Sequence, residues 1–78
     1  MKTIRECVAE ELRAIRSKKQ YSQKQVADGT GLDVMTIGRY ENNNTSMQLD
    51  VVDKILTFYN VSIDIFFRNI SANMHEKD

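Results

Sequence analysis

Few side chains in this sequence could do covalent or metal chemistry. It has one cysteine, Cys7, and one histidine, His75, far apart along the chain. Neither has partners at ligand spacing, so no metal site and no cofactor are indicated. There is no phosphate-cradling loop of the P-loop kind, and no nucleophile stands at a recognisable spacing from a base. Enzyme activity is therefore not expected. Cys7 reads as a first-helix residue at the edge of the core, with a redox-sensing thiol as the lesser alternative. His75 belongs to a polar tail. What remains for this chain is recognition by shape, charge and hydrogen bonds.

Charge is balanced in sum but not along the chain. Eleven Lys and Arg face eleven Asp and Glu, which weighs against strong nonspecific binding to nucleic acid. Residues 1–20 hold six cations against three Glu, and Arg13, Arg16, Lys18 and Lys19 can make one positive edge. Residues 45–78 hold three cations against five acids. The 78 residues allow one compact domain that buries roughly 60–65% of its unfolded surface, so stability is expected to be modest and helped by dimerisation. No apolar run reaches the ~20 residues of a membrane span. The N-terminus lacks an apolar signal core, and a single cysteine suits a reducing compartment, so the expected location is cytoplasmic.

The elements that must position any site are all helices. Proline is absent, and apolar spacing is helical throughout. A first helix is expected over about 3–19, with Thr3 and Glu6 as a capping box and Ile4, Val8, Leu12 and Ile15 on one face. Ser22 and Gln25 repeat the box at the start of a short second helix, which Gly29-Thr30-Gly31 interrupts. Asp33 caps a third helix that ends at Asn42-Asn43-Asn44. A fourth covers about 47–59, capped by Ser46, with Leu49, Val52, Ile55, Leu56 and Tyr59 inward. Ser62 caps a short fifth helix over about 63–69. Residues 1–70 form one helix-turn-helix domain with its core at 23–42, and 71–78 read as a frayed polar tail.

The second and third helices carry the most specific pattern. Two short helices joined by a tight turn need a small residue where they cross, a backbone in the turn able to take positive φ, and apolar pins to the core. Ala27 is the small residue and Gly31 the turn residue. Val26, Leu32, Ile37 and Tyr40 are the pins.

This arrangement resembles the lambda-repressor-like, or XRE, family of helix-turn-helix regulators. The resemblance rests on Ser22, Gln23, Val26, Ala27, Gly31, Leu32, Ile37, Tyr40 and Glu41. Leu12, Arg13 and Arg16 upstream, and Val61-Ser62-Ile63-Asp64 with Phe67 downstream, extend it. It implies an all-α, five-helix fold and double-stranded DNA as partner, with the third helix in the major groove. It further implies that Gln23 donates to a phosphate, and that Glu41 pairs with Arg16 to staple the third helix to the first. Val34, Met35, Thr36 and Arg39 would then meet base edges or nearby phosphates. Val34 and Met35 suit thymine methyls, and the Arg39 fork suits guanine O6 and N7. Asn43 and Asn44 could touch the sugar-phosphate backbone. Tyr40 reads as core, with a hydroxyl that could reach a phosphate. Gly38 departs from the family's usual small polar residue. It either admits the helix closely to the groove or forfeits a contact.

The fifth helix has more apolar residues than one core needs: Ile63, Ile65, Phe66, Phe67 and Ile70. They predict a homodimer interface, unless the tail folds back to cover them. The expected function is a transcriptional regulator, a repressor on an inverted-repeat operator. The competing reading is a protein-interaction module, such as an antitoxin or a regulator's partner, on the same fold. No small-molecule ligand and no membrane partner are indicated.

Overall fold

The computed structural model describes residues 2–76, with side chains through Met74. Five helices follow in order: α1 (Ile4–Lys18), α2 (Gln23–Thr30), α3 (Val34–Glu41), α4 (Leu49–Tyr59) and α5 (Ile63–Glu76). No strand occurs among the described residues. The capping boxes expected at Thr3 with Glu6 and at Ser22 with Gln25 are both formed. In each, the hydroxyl and the carboxylate or carboxamide oxygen take up an N–H that the helix itself cannot satisfy. The two Thr3 bonds hold the Glu6 carboxyl below the usual carboxylate range. Asp33 caps α3 by accepting from the Met35 N–H at 3.0 Å, and the Ser62 hydroxyl accepts from the Ile65 N–H at 3.2 Å.

Leu12, Val26, Ile37, Ile55, Leu56, Tyr59 and Phe66 are almost fully buried and make the centre of the core. α1 packs on α3 and α5, and α2 packs on α3 and α4. Tyr21 and Phe58 are partly buried and lie on the core's rim. Tyr21 stacks on Tyr59 with ring centroids 6.2 Å apart. The Tyr59 hydroxyl is buried with no protein partner, and burial pushes its pKa well above the ordinary tyrosine value.

The structure departs from the sequence-based expectations at both later helices. α4 starts at Leu49, and its cap is Gln48 without a side-chain bond, so Ser46 does not cap it. The Gln48 N–H instead donates to the Tyr40 hydroxyl at 2.9 Å. Leu49 therefore occupies the first helical position, where its side chain leans past the end of the core, and it is 78% exposed rather than inward. Ile4 stands likewise at the first position of α1 and is exposed. α5 does not stop near Asn69. It continues through Glu76, because Ile70 is buried and Met74 packs on the core from its inner face. The segment expected to fray is thus helical as far as Glu76, and Lys77 and Asp78 lie outside the described residues. Cys7 lies within the buried core cluster rather than at its edge.

Candidate nucleic-acid interface

The turn between α2 and α3 is built as its residue types require. α2 closes at Gly31, which takes φ 75°, a left-handed conformation that costs glycine nothing. Its N–H reaches back to the Ala27 carbonyl at 3.0 Å. Thr30 caps the same turn from its side chain, donating to the Val26 carbonyl at 2.8 Å. Val26 and Ala27 on α2 and Ile37 and Tyr40 on α3 are buried, while Leu32 packs partly buried between them. These contacts fix the rotation of α3 about its own axis.

That rotation leaves one face outward. Val34 is 41% and Met35 59% exposed, and Arg39 is exposed as well. Thr36 and Gly38 are half-buried at its margins. Arg39 makes none of the ion pairs among the described residues. Past the helix, Asn43 takes φ 57°, and the Asn44 N–H returns to the Arg39 carbonyl at 2.9 Å. Asn44 is exposed. The Asn43 side-chain oxygen is buried without a partner, so only its NH2 end can serve a ligand.

Glu41 is buried, and its charge is matched. Arg16 Nε donates to Glu41 Oε2 at 2.7 Å, and Arg16 Nη1 donates to the Tyr21 carbonyl at 3.0 Å. The hydrogen bond to Glu41 is the main cause that raises the Arg16 pKa above its ordinary value. Glu41 Oε1 accepts from Gln23 Nε2 at 3.1 Å. The pair joins α1 to α3, and Gln23 brings in the start of α2. This third bond was not legible in the sequence, since Gln23 and Glu41 are remote in the chain and either type is common on a helix surface. The Tyr40 hydroxyl accepts from the Gln48 N–H, on a side chain that is otherwise buried. Gly29 was also missed as a packing residue: a Cβ there would overlap the Phe58 ring of α4. Of the cationic edge on α1, Arg13, Lys18 and Lys19 are exposed, whereas Arg16 is spent on Glu41.

On α5 the five apolar residues divide. Phe66 is 0% and Ile70 3% exposed, so both are corrected from interface to core: they face α1 within their own chain. Ile63, Ile65 and Phe67 remain exposed. The side chain of His75 lies outside those described. No described helix is long and apolar enough to cross a membrane.

Residues 12–66 match the helix-turn-helix family model. The cryptic phage CTXphi transcriptional repressor RstR of Vibrio cholerae is 32% identical over 66 residues, which cover 85% of this chain. The chain spans 60% of the length of that repressor. The wild-type restriction-modification controller protein C.Esp1396I shares the fold, with a TM-score of 0.89 at 21% identity over 97% of this chain and 99% of that one. The tetramer of that controller in complex with its natural 35 base-pair operator gives 0.84 at 22% identity, over 92% and 95% of the two chains. With the family pattern matched from α1 into α5 and the turn geometry in place, this chain belongs to the helix-turn-helix family, of the XRE type.

Proposed function

We propose that this chain is a sequence-specific DNA-binding transcriptional regulator, a repressor that binds an inverted-repeat operator as a homodimer and catalyses no reaction. The observation that carries it is the outward face of α3, where Val34, Met35 and Arg39 stand free while Ile37, Tyr40 and Glu41 lock the opposite face. A helix held this way fits the major groove. The name of the RstR relative, a repressor, and the operator-bound state of the C.Esp1396I structure support the reading. Such a protein works where the DNA is, in the cytoplasm.

In this reading Arg39 forks onto guanine, and Val34 and Met35 meet thymine methyls, with Thr36 at the margin. Phosphates are met by backbone N–H groups at the start of α2. The capping box uses those of Ser22 and Gln25, which leaves those of Gln23 and Lys24. Asn43 and Asn44 hold the backbone at the other end. Ile63, Ile65 and Phe67 form the contact between two copies, so that two α3 helices lie about 34 Å apart, one turn of DNA.

Selection from random duplex DNA tests this directly. The expected result is a palindromic motif whose affinity falls as salt rises. Arg39→Ala is expected to lose about 1–3 kcal/mol and to relax one base position in each half-site. If no motif emerges and Arg39→Ala binds DNA as the parent does, the reading fails. The protein-interaction module, which the zero net charge favours, then takes its place.

A further inference from the structure

One polar group beside α3 has more capacity than its internal bond uses. Gly38 stands one turn after Val34 on α3, on the side that meets Gln23 of α2. The position has no side chain. A Cβ at Gly38 would lie 3.7 Å from Gln23 Oε1 and 3.9 Å from Gln23 Nε2. The carboxamide of an α2 residue therefore lies in ordinary contact with the place where the third helix's own side chain would begin.

The orientation of that carboxamide is fixed from behind. A carboxylate can only accept, so Glu41 selects Nε2 and not Oε1, at 3.1 Å. Arg16 holds the other Glu41 oxygen and also the Tyr21 carbonyl, just before the α2 cap. The bonds thus close a ring that returns to the segment from which Gln23 springs. A flipped amide would set oxygen against oxygen. Gln23 keeps one N–H and its Oε1, adjacent and in one plane, on a half-buried side chain at the edge of the exposed face. A phosphate, which only accepts, would leave Oε1 unused. Adenine in the major groove offers an N7 acceptor and an N6 donor side by side, which matches this pair.

We propose that Gln23 is a specificity-determining residue that selects adenine at one base pair in each half-site. Gly38 is the gap through which its amide meets the groove, and Glu41 is the positioning residue. The inference rests on the DNA-binding reading above. Its test is a panel of duplexes in which each base pair of the selected motif is replaced in turn, titrated with the parent chain, Gln23→Leu and Gly38→Leu. The parent should lose about 5- to 150-fold when one particular adenine is replaced. Gln23→Leu should bind all four bases alike at that position and keep its preferences elsewhere. Gly38→Leu keeps Gln23 and Glu41 but covers the amide, so the same position should flatten. Circular dichroism identifies a variant that fails to fold, and the other then decides. A uniform loss across all sequences with a shallower salt slope makes Gln23 a phosphate anchor and overturns the proposal, as does a motif that survives both variants unchanged. A parent chain that selects no motif overturns the DNA-binding reading as well.

Discussion

Gly29 and Gly38 both sit inside short helices, and intrinsic propensity makes each about 1 kcal/mol worse than alanine. Their surroundings separate them. The ring of Phe58 lies where a Cβ on Gly29 would go, whereas a Cβ on Gly38 would meet Gln23 at ordinary contact distance. Gly29→Ala is therefore expected to destabilise the fold by about 1–3 kcal/mol, the overpacking cost exceeding the propensity gain. Gly38→Ala is expected to stabilise it by about 0.5–1 kcal/mol. Thermal unfolding of the two variants side by side checks both signs. At this scale the sequence was readable only where a residue answers to its immediate neighbours. Gly31 announces a turn because its own backbone conformation demands it. Gly29 answers to Phe58 on α4, and Gln23 answers to Glu41 on α3, and neither partner is marked by spacing.

Between elements, Arg16 and Glu41 matter most, because they couple α1 to α3 across a site from which water is largely excluded. Glu41→Ala would leave the Arg16 charge half-buried with only the Tyr21 carbonyl, and it would free the Gln23 amide. A loss of about 3 kcal/mol is expected in urea unfolding, the lower end for a broken buried pair, since Arg16 keeps some exposure. Arg16→Met with Glu41→Leu should recover much of that loss, as apolar replacement of both partners removes the stranded charge. The helices themselves were legible in proportion to how local their signals are. Capping boxes at Thr3 and Ser22 and the Asp33 cap lie within four residues of what they cap, and the first three helices begin where they indicate. The start of α4 depends on the Tyr40 hydroxyl, and the length of α5 depends on Ile70 and Met74 meeting a core assembled from other helices. Neither cause is written near the residues it affects.

For the molecule as a whole, the dimer reading stands on the exposed apolar residues of α5, with Ile63 and Phe67 on one flank of the helix and Ile65 on the other. Ile65→Asp is expected to leave a 9.0 kDa monomer in sedimentation at high micromolar concentration, with helicity unchanged and operator affinity sharply reduced. A dimer that persists in that variant would move the interface elsewhere. The sequence indicated this surface by its surplus of apolar residues on α5, but it could not divide them, because Phe66 and Ile70 differ from Phe67 and Ile65 only in the direction they face. The five short helices also bear on time. Helical folds rich in local contacts form within milliseconds. A chain with no proline has no X-Pro bond to isomerise over tens of seconds. On the dimer reading, the interval between synthesis and a working regulator is then set by how soon two folded chains meet, and so by how many copies the cell has made.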